Sequence, residues 1–228
     1  MISRVCVIGE RLSGTCFINA LFSSNTNVKC VSYGNKHFFQ DIDKIHKEYT
    51  KGTLFVFVTR DVMEWLQSFS RSPFHAPLNV RKSNDFSKFI RLEWKCIYDE
   101  TYGTPRTHSD YGKEMMHERD PYTGERFENA IKMRTSKIDH CMALSKVVEN
   151  FVHIRYEDAR DDPEGFMRKI CMDFELMCTP VFVPVTTPRG QGGSKAYIRS
   201  EYENISEDDV EYIISNIDKD TEKSIGYM

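Results

Sequence analysis

No apolar run in this 228-residue chain approaches the roughly 20 residues that a bilayer-spanning helix needs. Basic residues are not in excess either. Lys and Arg number 31 against 34 Asp and Glu, a formal charge of −3, so no global attraction to nucleic acid or an anionic membrane is expected. An anion site in such a chain has to come from a local cluster of cations and backbone amides. The cysteines Cys6, Cys16, Cys30, Cys96, Cys141, Cys171 and Cys178 form no CxxC pair and no spacing with histidine. That excludes a zinc ribbon and gives no disulfide framework; reduced thiols in a cytosol-like compartment are the expectation. There is no GK[ST], hence no Walker A loop, and there are no repeats or interdomain linkers.

What is present alternates. Short apolar runs at 5–8, 28–33, 54–58, 151–154 and 181–185 read as strands. Helix-period segments read as helices after Gly14 (with Phe17, Ile18, Leu21 and Phe22 on one face), from Asp61, over 86–97, over 127–148, from Asp162-Pro163, and over 207–217. This is the pattern of βαβ units around a mostly parallel central sheet flanked by helices, an α/β single domain covering 1–228. The first strand begins at residue 4, so no signal peptide is expected and the location is read as cytoplasmic. Residues 101–126 break the rhythm. They are polar and have few apolar residues, so they read as a long functional loop, mobile without a ligand.

Two places carry anion chemistry. Gly9-Glu10-Arg11-Leu12-Ser13-Gly14-Thr15-Cys16-Phe17 follows a strand and opens a helix, the arrangement that presents backbone amides and a helix dipole to an anion. Arg11, Ser13 and Thr15 add a cation and hydroxyls. Leu54-Phe55-Val56-Phe57-Val58-Thr59-Arg60-Asp61 ends a second strand in a charged pair. Asp61 with Glu64 reads as a capping box. Near the end, Arg189-Gly190-Gln191-Gly192-Gly193-Ser194-Lys195 brackets three glycines with cations.

The first segment resembles the 5′-phosphosulfate loop of sulfotransferases that use 3′-phosphoadenosine 5′-phosphosulfate, and is most similar to a bacterial-type G-E-R-x-S-G-T-x-F variant. Three further segments resemble that family in the same order. Arg60 and Ser68, eight residues apart, are similar to its 3′-phosphate pair. Arg155-Tyr156-Glu157-Asp158, followed by Asp162-Pro163, is similar to its R-Y-E-D…D-P segment. Arg189, Gly190 and Lys195 are similar to a shortened form of its closing loop. The resemblance implies a P-loop NTPase-like sulfotransferase architecture and no metal. It implies phosphosulfate contacts from Arg11, Ser13, Gly14, Thr15 and Cys16, and adenine contacts from Phe17 and Tyr156. His37 lies 23 residues before Arg60, as the family's catalytic histidine does, and becomes the expected base, with Lys36 and Arg11 stabilising the leaving phosphate. His75 is the rival base or an acceptor contact, and Glu157 a distant third. Leu12 stands where the family has a cation. Met133-Arg134-Thr135-Ser136-Lys137 resembles the bacterial-type subgroup without indicating a role. The expected acceptor is a hydroxyl or amine of a glycan, peptide or polar metabolite, met by Tyr111, His108, Arg119, Tyr122 and Arg126 of the 101–126 loop. A P-loop-like nucleotide kinase or NTPase and a non-catalytic adenosine bisphosphate-binding module are the alternatives.

Overall fold

The computed structural model describes residues 1–42, 45, 50–82, 85–186, 202 and 204–228. Its frame is a sheet of four parallel strands: β1 (Arg4–Gly9), β2 (Lys29–Cys30), β3 (Thr53–Thr59) and β4 (Asn150–Arg155), in the order β2-β1-β3-β4. Contacts divide the chain into two compact units, each made of two stretches of sequence. One is Met1–Asp61 with His140–Glu201, the other Val62–Asp139 with Tyr202–Met228.

The sheet belongs to the first unit. Central β1 and β3 are apolar on both faces, which is why they read as continuous runs. Val5, Val7, Leu54, Val56 and Val58 share a core with Ile18, Leu21 and Phe22 of α1 (Thr15–Asn25), with Ala159 of α6 (Tyr156–Asp161), and with Met167 and Ile170 of α7 (Pro163–Asp173). On the other face Phe55 stacks on Tyr33 and Phe57 meets His153. Asp162 caps α7 by accepting from the Gly165 amide, with Pro163 at the first helical position.

Two strand expectations change. β2 pairs only over Lys29–Cys30; past it Tyr33 lies on the sheet face against Phe55, and after Gly34 (φ 125°) the chain returns to the end of β1, where the Lys36 carbonyl accepts the Gly9 amide. Residues 181–185 form no strand. The carboxamide of Asn25 instead donates to the Val183 carbonyl (3.0 Å) and accepts from the Val183 amide (2.7 Å), satisfying both backbone groups as a neighbouring strand would. The cysteine reading also changes. Cys171 and Cys178 are joined by a disulfide: Glu175, at φ 51°, reverses the chain after α7 and returns Cys178 beside the helix's last turn. A helix turn at the chain reversal, not a CxxC spacing, makes that pair.

The second unit holds α2 (Val62–Arg71), α3 (Leu78–Arg81), α4 (Phe86–Arg91), α8 (Glu207–Asn216) and α9 (Lys219–Ser224); α5 (Ala130–Ala143) starts in it. α2 buries Trp65, Leu66 and Phe69; Phe69 stacks on Trp65 and meets Phe89 and Trp94. The expected helix over 86–97 stops at Arg91. Beyond it Trp94 pairs with Phe127 and Ile97 with Glu114 as antiparallel bridges. α5 is shorter than the 127–148 reading because Asn129 caps it, accepting from the amides of Ile131 and Lys132.

The 101–126 segment is tied down more firmly than its composition suggests. Met115 is fully buried, and Glu114 is clamped by Arg119 (3.0 Å) and Arg126 (2.7 Å). Buried Glu118 accepts from Lys137 Nζ at 2.8 Å. The Arg134–Lys137 motif is therefore structural. Lys137 holds this loop, and Arg134 holds Glu222 of α9 at 2.7 and 3.0 Å. Among the described residues no helix is long and apolar enough to cross a membrane.

Candidate functional site

The strand order fixes the place of the site. From β1 the chain goes to β2 on one side, then to β3 on the other. The carboxyl ends of β1 and β3 therefore flank a switch point, where open α/β sheets bind ligands. Gly9 ends β1, Thr59-Arg60 ends β3 and Arg155-Tyr156 ends β4, all at that edge.

The turn after β1 is built around two glycines. A Cβ on Gly9 would lie 2.5 Å from the Val58 carbonyl oxygen and 2.9 Å from Ser13 Oγ, so the turn folds back onto the strand end only without a side chain. Gly14 sits at φ 95°, and a Cβ there would lie 2.2 Å from Tyr156 Cδ2. Its missing side chain is the seat for the Tyr156 ring. Gly14 also occupies the N-cap of α1 and gives no side-chain cap. The first amides of α1, at Thr15, Cys16 and Phe17, have no carbonyl within the helix to bond.

Several expected residues converge here. Arg60 reaches the Leu12 carbonyl with Nη1 (3.2 Å) and lies 4.9 Å over the Tyr156 ring. Phe17 meets the same ring edge-on at 6.0 Å. Lys36 accepts the Gly9 amide on its carbonyl (3.0 Å) and points Nζ to Cys16 Sγ at 3.1 Å. His37 donates Nδ1–H to the Gly9 carbonyl at 2.8 Å. In the neutral ring that bond makes Nε2 the basic nitrogen. Burial pushes the His37 pKa down to about 4, and nearby Lys36 and Arg11 work in the same direction against the Gly9 bond and Glu10. The imidazole is therefore neutral across the physiological range.

Other residues sit differently from the sequence expectation. Arg11 does not reach outward. It is 1% exposed, its Nε bonds Glu10 Oε1 at 2.8 Å, and its guanidinium lies over Phe38. Ser13 donates its hydroxyl to the Glu10 carbonyl at 2.7 Å, closing the turn, and Thr15 is buried beneath it. These three form the floor of the turn; the Gly14 backbone and exposed Cys16 form its face. Glu157 accepts from the Asp61 amide at 2.9 Å, a structural role. Ser68 and His75 belong to the second unit. There His75 bonds Asp99 at 3.0 Å, and Asp99 also pairs with Arg81 at 2.7 Å, so His75 is held in a buried network. Arg189, Gly190 and Lys195 lie outside the described residues.

Two members of the site are not evident from the sequence pattern. Glu10 is the partner that turns Arg11 inward, signalled only by its adjacency. Arg160 lies 5.7 Å from the Tyr156 ring centre; its i,i+4 spacing from Tyr156 becomes a signal only once 156–161 is recognised as a helix. Among the described residues no group of three or more His, Cys, Asp and Glu is placed to hold a metal. The sequence matches no protein-family model, and no curated protein matches it.

Proposed function

We propose that this protein is a sulfotransferase, moving a sulfuryl group from 3′-phosphoadenosine 5′-phosphosulfate to a hydroxyl or amine of a glycan, peptide or polar metabolite. The observation that carries the reading is the convergence, at the β1/β3 switch point, of an uncapped helix start, Lys36, Arg60 and Tyr156 around one glycine turn. This donor set suits a nucleotide with two separate anionic groups. When bound, the donor supplies an activated sulfuryl group on a phosphate leaving group. The first amides of α1 and Lys36 would hold the 5′ end, Arg60 the 3′-phosphate, and Tyr156 with Phe17 the adenine. By the family resemblance Ser68, Arg189, Gly190 and Lys195 would complete the 3′ end. His37 Nε2 takes the acceptor's proton as general base, with Nδ1 anchored to Gly9. Arg11 supports the turn through Glu10 and adds positive field from below.

Adenosine 3′,5′-bisphosphate should raise the melting temperature far more than AMP or ATP, without magnesium. Equal shifts with all three would remove the two-anion reading. One observation favours a second reading: Arg11 and Ser13 are committed to Glu10, as suits a bisphosphate-binding module that performs no transfer. Labelled sulfuryl transfer to a glycan or metabolite extract separates the two.

A further inference from the structure

Arg60 and Tyr156 are neighbours by register. Thr59 of β3 pairs in parallel with Arg155 of β4, so the next residue on each strand leaves the sheet at the same edge, side by side. The Arg60 guanidinium lies over the Tyr156 ring at 4.9 Å and donates from Nη1 to the Leu12 carbonyl at 3.2 Å. These contacts hold it on an aromatic face and on the glycine turn, with 8% of the residue exposed. The Leu12 carbonyl is neutral and does not cancel its charge.

The ring is itself fixed. Position 14 has no side chain, and a Cβ there would lie 2.2 Å from Cδ2 and 2.7 Å from Cε2. Phe17 meets the ring edge-on at 6.0 Å. The Arg160 guanidinium lies over it at 5.7 Å, with Nε and Nη2 forked onto the Asp161 carboxylate at 2.8 and 3.1 Å. Tyr156 is 5% exposed. Two guanidiniums over the ring leave little of its π surface for a purine, whereas Phe17 is only half-buried.

Holding Arg60 in place matters for what it can bind. A long side chain gives up rotamer freedom when it grips a ligand, and a guanidinium recognises phosphate by direction as well as by charge. The quadrupole of the aromatic face attracts the guanidinium and sets that direction before any ligand arrives. An aliphatic side chain would offer contact without that attraction.

We infer that Tyr156 is the positioning residue for Arg60, that the preference for a 3′-phosphate resides in this pair, and that Phe17 is the purine's stacking face. The inference rests on the donor nucleotide proposed above, and divides between two residues the adenine end assigned there to both. The test is isothermal titration calorimetry on the full chain, without magnesium, with adenosine 3′,5′-bisphosphate and AMP. These ligands differ only in the 3′-phosphate, so the ratio of their Kd values cancels damage common to the whole site. Tyr156→Leu should cut the preference for the bisphosphate by about threefold to thirtyfold, the span of a cation–π contact. Tyr156→Met, closer to tyrosine in length and without a ring, should do the same and replaces the leucine variant if that does not fold. Tyr156→Phe keeps the ring and should keep the preference. Phe17→Leu should weaken both ligands alike. An unchanged preference in the leucine or methionine variant, an equal loss in Tyr156→Phe, or a lost preference in Phe17→Leu would overturn the inference and leave the donor reading standing. An unaltered protein that does not prefer the bisphosphate would overturn the donor reading and the inference with it.

Discussion

Gly14 and Tyr156 fit each other: the tyrosine ring occupies the space where any side chain at position 14 would begin, with Cδ2 2.2 Å from the notional Cβ. Gly14→Ala therefore has to move the ring and also hold alanine at φ 95°. Left-handed backbone costs an L residue about 1–2 kcal/mol, and overpacking adds about 1–3 kcal/mol. Urea titration should show a loss of roughly 2–5 kcal/mol. Tyr156→Ala in the same background should recover the steric part and leave the backbone part. Additive effects of the two changes would show that the ring is not seated on Gly14.

His37 gives a pH signature. Its pKa falls from the ordinary 6.5 to about 4 on folding, so the unfolded chain binds its proton first. The stability that this contributes is complete above pH 6.5 and is lost as pH falls through 4. Stability should decline with acid across that window, and His37→Gln should flatten the decline. An imidazole NMR titration with a midpoint near 6.5 in the folded protein would contradict it. If His37 is the base, His37→Ala should lower turnover by about 10²–10⁴ while adenosine bisphosphate affinity stays nearly intact.

Much of the frame was legible because buried parallel strands announce themselves. β1 and β3 are apolar runs with no polar interruption, and Gly9 and Gly14 mark the turn between β1 and α1. Helix extent was harder to read. Trp94 and Ile97 continue the spacing of Phe86, Phe89 and Ile90, and all but Phe86 are buried, yet the chain reaches 94 and 97 as extended bridges. Apolar period reports burial, and two backbone conformations can deliver it here. The site had the same limit. Sequence identifies Arg11 as a cation by the loop, whereas its direction depends on Glu10, whose carboxylate captures it first. The Cys171–Cys178 bond depends on the reversal at Glu175, which no cysteine spacing rule encodes.

The 101–126 loop should be ordered by a charge clamp. The hydrogen bond from Arg126 leads in holding the Glu114 pKa down to about 2, with Arg119 assisting against partial burial. A depressed carboxylate contributes stability above its unfolded pKa near 4.5 and loses it as pH falls through 2. Hydrogen exchange across the loop should show protection at neutral pH, and Glu114→Gln should accelerate it there without changing β1 or β3. Fast exchange in the unaltered protein at neutral pH would restore the mobile loop.

Arg134 and Glu222 make the sharpest test of what holds α9. Both side chains are 3% exposed and paired through two bonds, Nε and Nη2 each donating to one carboxylate oxygen. Arg134 also lies 5.4 Å over Trp65 and 6.0 Å over Tyr227, so its charge has aromatic faces as well as a counter-ion. Removing one partner strands a buried charge, at a cost of roughly 3–5 kcal/mol. Glu222→Ala should therefore lower the melting temperature on the order of ten degrees for a chain of this size. Removing both charges should hurt less than removing one. Arg134→Met with Glu222→Leu fills similar volume with no charge to desolvate, and such replacements are often neutral or stabilising. A double variant as unstable as the sum of the two single ones would show that the pair is not coupled. Each change is to be measured with adenosine bisphosphate absent, so that the result reports folding and not ligand binding.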